Sequence, residues 1–193
     1  MSGLISDLQR FISILDRQPS VRKDLEAVDK LRLPEGCIAA GYLRSLVWDE
    51  LHGFIRRTVP EDIDVLYYDP LHPEEAEEKK LDARLRQLRP GLNWSCKNQA
   101  RMHLVSGSAP YSSVEAAMRE WPETATAVAV RMDGNGRMTV IAPYGLSDLM
   151  NGRVRPSPGC RDRELCRRRM EAKRWLDRWP KLRLEDPPGD HRE

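Results

Sequence analysis

The sequence predicts a mixed α/β (α+β) fold, a small sheet flanked by helices, and three observations carry that prediction. Short β-branched and apolar runs (CIAAG at 37–41, DIDVLYYD at 62–69, TATAVAVRM at 124–132) alternate with segments of helical apolar spacing. Turn residues punctuate them, notably Pro90-Gly91 and Asp133-Gly134-Asn135-Gly136. At 193 residues the chain is long enough to bury a real core. It reads as one domain over 1–185: a helical cover (1–33), a mixed-sheet core (36–150) and a basic C-terminal helix (160–182).

Composition bounds the partners. Lys and Arg number 32 against 30 Asp and Glu, a balance that predicts neither nucleic acid nor membrane by itself. The N-terminus lacks the basic region of a signal peptide, and no apolar run reaches membrane-spanning length. Cys37, Cys96, Cys160 and Cys166 form no CxxC pair and read as reduced thiols of a cytoplasmic protein.

Each element follows from its own residues. Residues 4 to 15 set Leu4, Leu8, Phe11, Ile12 and Leu15 on one helical face. Ser20 is placed to cap a second helix with Val21, Leu25, Val28 and Leu31, ended by Pro34 and Gly36. CIAAG is a strand that breaks at Gly41 into a helix carrying Arg44, Ser45 and Trp48. The next strand spans 62–68 and stops at Asp69-Pro70. Residues 74–89 form a half-exposed helix with a stripe of Leu81, Leu85 and Leu88, its acids early and bases late as the helix dipole favours. Within 92–103, Trp94 and Cys96 alternate with Ser95 and Lys97 as in a strand. A short helix (113–121) leads into strand 124–132, which the DGNG turn returns as a hairpin that extends the sheet. Tyr144 and Asp148 either face a pocket or cap and pack. The last helix, 161–178, gathers Arg161, Arg163, Arg167, Arg168, Arg169, Lys173 and Arg174 beside Trp175 and Trp179. Its charges either pair with neighbouring acids in solvent or track nucleic-acid phosphates. The tail from Asp186 is expected to be disordered.

The chemistry centres on 41–64. Asp62 and Asp64 are spaced i, i+2, so a strand puts both carboxylates on one face and Ile63, Val65 and Tyr67 on the other. Paired carboxylates repel and call for a cation. Hard oxygen ligands at this density suit Mg2+ (or Mn2+), held by one or two carboxylates plus substrate phosphates. Gly41, at a strand–helix turn, offers backbone N–H groups to a phosphate. Arg44, Ser45, Lys97, Asn98, Arg101 and His103 add donors suited to polyphosphate, or else satisfy local backbone and buried acids.

Six stretches carry a resemblance: AAGYLRSLVWDELHG, DIDVLYYD, WSCKNQARMH, WPETATAVAVR, APYGLSDLMNGRVRPSP and KRWLDRWPKL. Together, over residues 20–185, they resemble a bacterial nucleotidyltransferase-like family of the polymerase-β nucleotidyltransferase superfamily. The resemblance implies a nucleotidyltransferase-like mixed sheet with Asp62 and Asp64 at its functional edge. It departs from the superfamily at Tyr42, where Ser or Gly usually follows the turn glycine, and at WSCKN, which offers no third carboxylate. Glu123 is the substitute within the chain. The expected activity is Mg2+-dependent transfer of a nucleoside monophosphate from a nucleoside triphosphate to a hydroxyl acceptor, whether small molecule, RNA or protein. The alternative is a catalytically silent module that binds a nucleotide, RNA or a protein. A nucleic-acid binder working through the C-terminal arginines is a third reading.

Overall fold

The computed structural model describes residues 6–160 and 162–185. Leu4, Arg161 and the tail from 186 lie outside them. Helices α1 (Asp7–Asp16) and α2 (Pro19–Asp29) precede strand β1 (Cys37–Ala39), α3 (Gly41–His52), β2 (Ile63–Tyr67) and α4 (Glu75–Leu88). Then come β3 (Trp94–Asn98), α5 (Gln99–Ser106), α6 (Val114–Met118), β4 (Ala129–Met132) and β5 (Met138–Ile141). The chain continues through α7 (Ser147–Met150), β6 (Arg153–Val154), α8 (Arg163–Ala172), α9 (Trp175–Arg178) and β7 (Arg183–Leu184).

Five strands form one mixed sheet in the order β3-β2-β1-β4-β5. Only the β2–β3 pair in it is parallel, as the α4 crossover between them requires. The main core lies on the face that holds Ile63, Val65, Tyr67, Trp94 and Cys96, under α1 to α4. The opposite face has a smaller apolar cluster of Ala39, Leu66 and Ala129 beneath Val114 and Met118 of α6. By alternation Asp64 shares this second face with Leu66.

Local chemistry moves several boundaries. In α1 the buried residues are Phe11, Ile14 and Leu15, while Leu8 is half exposed, so the stripe is rotated from the one the spacing predicts. Ser20 does not cap α2: Gln18 stands at that position, Pro19 opens the first turn, and Ser20 accepts a hydrogen bond from Arg57 instead. The β-branched run 124–132 is a strand only from Ala129. The backbone of Thr126 and Ala127 turns onto the Glu123 carbonyl, and the hydroxyls of Thr124 and Thr126 bond Asp148 and Arg44. Propensity yields there to side-chain hydrogen bonds. Asp148 therefore packs, though it caps no helix. It is buried and paired with Arg155 at 2.7 Å.

The basic helix is two helices, because Arg174 takes a left-handed conformation (φ 50°, ψ 45°) between α8 and α9. That break turns Trp175 and Trp179 together onto Trp48, with ring centroids 5.2 and 5.1 Å away in edge-on geometry. The Trp179 indole N–H donates to Asp49 at 2.8 Å. His52 Nδ1–H donates to the Trp48 carbonyl (2.7 Å), and Nε2 accepts the Lys181 N–H (2.8 Å). The WDELH stretch of α3 is thus the dock for the C-terminal segment.

Candidate active site

The site begins where β1 gives way to α3. Ala39 lies opposite Asp64 in the β1–β2 register, so the helix start is held beside the aspartate strand. The chain turns at Ala40, whose φ of 57° and ψ of −129° are costly for a residue with a Cβ, by about 1–3 kcal/mol. Gly41 bears no such strain. A Cβ on it would meet Arg44 Nη2 at 3.7 Å, an ordinary contact. The fold alone does not demand glycine at 41.

Asp62, just ahead of β2, is exposed, and Asp64 is half-buried. Among the described residues neither carboxylate has a hydrogen bond or an ion pair. Every wholly buried acid has one. Asp24 accepts from Tyr42 and Arg89, Asp49 from Thr58 and Trp179, Glu78 from Arg101, Glu123 from Arg169, and Asp148 from Thr124 and Arg155. Burial, and then the neighbouring charge of Asp62, push the Asp64 carboxyl up from 3.8 to about 6, against the opposing fields of Lys173, Lys97 and Arg44. Like charges held this close without a protein donor repel each other.

The predicted donors divide sharply. Lys97 faces Leu66 across the β2–β3 register and lines the cavity in front of Asp64. Ser45, Gly41 and Arg44 line a small cleft with Asp62. The Arg44 guanidinium lies between the rings of Trp48 and Trp175 (4.6 and 4.2 Å) and donates to Thr126 at 3.1 Å. Burial lowers its pKa to about 10.

Asn98 is otherwise occupied. It caps α5, accepts from Asp69 N–H, and donates to the carbonyls of Asp69 and His72. Arg101 grips the buried Glu78 of α4 with two hydrogen bonds of 2.8 and 2.7 Å. Neither Asn98, Arg101 nor His103 lines the cavity, and His103 instead meets the edge of Tyr111. Glu123 is wholly buried with Arg169 Nε at 2.7 Å. Among the described residues no three His, Cys, Asp or Glu side chains gather as metal ligands, so Glu123 does not complete the pair.

Two cations that sequence reasoning left outside the site sit beside the aspartates. Arg169 of α8 lines the main cavity with Asp64, and Lys173 lines the small cleft with Asp62. The main cavity is about 540 Å³, floored by Ala40, Asp64 and Leu66 and walled by Met102, Trp121 and Leu165. Its polar end is the Glu120 carboxylate, which accepts from Ser108 and Tyr111. The i, i+4 spacing of Arg169 and Lys173 is visible in the sequence, but the docking of α8 by tryptophans more than a hundred residues from Trp48 is not.

An NMR structure that reveals a CCA-adding enzyme head domain is 32% identical to this chain, covers 93% of it and 96% of its own length, and has a TM-score of 0.80. The Thermotoga maritima CCA-adding enzyme complexed with tRNA is 16% identical over 90% of this chain, with a TM-score of 0.58. A CCA-adding enzyme with CTP is 15% identical over 90%, with a TM-score of 0.59. The chain spans 42% and 43% of those two enzymes, which at such identity show the fold alone. No curated protein matches it. A nucleotidyltransferase family model matches residues 26–184, and the chain belongs to that family.

Proposed function

We propose that residues 6–185 form one nucleotidyltransferase domain, which moves a nucleoside monophosphate from a triphosphate to a hydroxyl acceptor with Mg2+. One observation carries this reading: Asp62 and Asp64 are brought together and, among the described residues, left without a donor or cation, while each wholly buried acid has at least one donor. Two hard carboxylates on one strand face fit a divalent ion that completes its shell with water and phosphate oxygen. Such an ion supplies Lewis acidity at the α-phosphate and lowers the pKa of a bound hydroxyl.

The chain's own residues hold the rest in place. The N–H groups at the start of α3, around Gly41, face a phosphate, and Ser45 adds a hydroxyl beside Asp62. Lys97 offsets charge in front of Asp64. The apolar cavity walls exclude water from the reacting centre. The acceptor oxygen bonds to the α-phosphorus, the bond to the β-phosphate oxygen breaks, pyrophosphate leaves with that electron pair, and the hydroxyl proton passes to water. Asn98 and Arg101 serve as structural clamps in this reading.

The second reading, a module that binds nucleotide, RNA or protein without transfer, is favoured by the Glu123–Arg169 pair, which takes the candidate third acid out of the metal's reach. Manganese line broadening in amide spectra, with each common nucleoside triphosphate, tests metal–nucleotide binding. Broadening centred on 41–45 and 62–66, lost in Asp62→Asn and Asp64→Asn, is expected, and no localised broadening refutes the site. Pyrophosphate release with RNA and small-hydroxyl acceptors then separates transfer from binding.

A further inference from the structure

An incoming triphosphate carries about four negative charges, and of the basic residues that the sequence offered, Lys97 alone faces Asp64 in the cavity. Arg101 belongs to Glu78, and Arg44 is shut between two indoles. We infer that α8 is the triphosphate-binding arm of the site, with Arg169 and Lys173 as its contacts. This inference rests on the nucleotide reading above and deepens it.

Three observations converge. First, Arg169 in the last turn of α8 and Lys173 at its C-cap lie four residues apart, and they straddle the aspartate pair: Arg169 in the cavity of Asp64, Lys173 in the cleft of Asp62. A polyphosphate attached to a metal at the pair runs along that face. Second, Arg169 is aimed. The wholly buried Glu123 accepts its Nε–H at 2.7 Å, while its terminal nitrogens make no hydrogen bond among the described residues and the side chain remains 35% exposed. A guanidinium pinned at Nε presents its remaining fork in a fixed direction, the geometry suited to phosphate oxygens. Third, Lys173 is available. Its partner at 3.0 Å is Glu61, whose side chain is 64% exposed, so water already screens the pair and a phosphate can replace the carboxylate. Trp175 and Trp179, packed on Trp48, fix the end of this arm to α3. Glu123 is then a positioning residue that acts through Arg169.

The test is calorimetric titration of the intact chain, in Mg2+, with ATP, CTP, GTP and UTP, the matching monophosphates, and inorganic tripolyphosphate. Arg169→Ala and Lys173→Ala are each expected to weaken triphosphate and tripolyphosphate binding by about 10-fold or more, as loss of a charge-assisted contact implies, with monophosphate affinity within about 2-fold. Arg169→Lys recovers part of the loss. Glu123→Gln lowers the triphosphate-to-monophosphate affinity ratio less than Arg169→Ala does, at unchanged far-ultraviolet circular dichroism. If both alanine variants bind tripolyphosphate as the parent does, or lose mono- and triphosphate affinity equally, the assignment of α8 is overturned. If the parent chain binds none of the four triphosphates, the nucleotide reading itself fails.

Discussion

Replacing Asp64 by Asn should make the protein more stable and abolish the Mg2+ binding proposed above. The native carboxyl titrates near 6 against 3.8 for an unperturbed one, chiefly through burial and then through Asp62. A folded-state pKa raised above the unfolded value means that the native state binds the proton more tightly. Its stabilising contribution is therefore complete below about pH 4 and is lost as pH rises through 6. At about 1.4 kcal/mol per pH unit, the ionised form costs about 3 kcal/mol at neutral pH, reduced to about 2–3 by the residual solvent contact of the group. Asn keeps the shape and removes the charge. The charged neighbours that face the position, Asp62, Lys173, Lys97 and Arg44, are the same in both proteins. The difference in unfolding free energy should therefore grow from near zero at pH 4 to about 2–3 kcal/mol at pH 7.5, raising Tm by roughly 5–10 °C. Urea titrations at the two pH values measure it. Mg2+ should stabilise the parent at pH 7.5 and leave the variant unmoved. An advantage equal at both pH values, or none at pH 7.5, refutes the reasoning.

Other variants probe separate contacts. Ala40→Gly relieves the strained turn at φ 57° and should gain about 0.5–1.5 kcal/mol in chemical denaturation, the relief less the added chain entropy of glycine. Arg101→Ala strips the paired donors from buried Glu78 and should cost about 2–4 kcal/mol, with triphosphate affinity per folded molecule unchanged in calorimetry; a selective loss of affinity would return Arg101 to the site. Trp179→Phe keeps the ring contact with Trp48 but removes the indole N–H from Asp49, so thermal unfolding should show a loss of about 1–2 kcal/mol; an unchanged Tm would mean that Thr58 alone satisfies Asp49.

What could be read from the sequence was what repeats locally. The i, i+2 spacing brought Asp62 and Asp64 side by side; Asp64 takes the face that strand alternation assigns it, whereas Asp62 falls just ahead of β2. The alternation of Trp94 and Cys96 with Ser95 and Lys97 placed Lys97 in front of Asp64 for the same reason. Donor chemistry, in contrast, is a long-range matter. Lys97, Asn98, Arg101 and His103 look alike as a basic run, but Glu78, from a helix with no apparent role beyond solvation, claims Arg101, and the turn at Asp69 claims Asn98. No local pattern announces a buried glutamate on a charged helix. The same limit hid Arg169 and Lys173, whose entry into the site depends on the left-handed break at Arg174 and on tryptophans packing against α3.

Two unfavourable features of the fold are neighbours. Ala40, with its strained backbone, follows the residue that faces Asp64 across the β1–β2 ladder, and Asp64 is a half-buried carboxylate that no donor among the described residues meets. Together they withhold about 3–6 kcal/mol from the native state by the estimates for strain and charge burial. Buried atoms such as Tyr67 Oη, Glu123 Oε2 and Asp148 Oδ1 also lack a hydrogen bond, while other groups are closely matched, as in the main-chain N–H received by His52 and the bidentate grip on Glu78. A defect in packing would have no reason to place a strained turn, an unpaired carboxylate and the start of a twelve-residue helix at one end of the β1–β2 pair. A ligand that brings both a cation and an anion answers all three: the cation relieves the carboxylates, and the anion meets the helix start. A metal-bound polyphosphate has that composition. A free metal ion would leave the helix terminus unanswered, and a free phosphate would add to the repulsion at Asp62 and Asp64. The stabilisation of this chain by Mg2+ and triphosphate together should therefore exceed the sum of their separate effects.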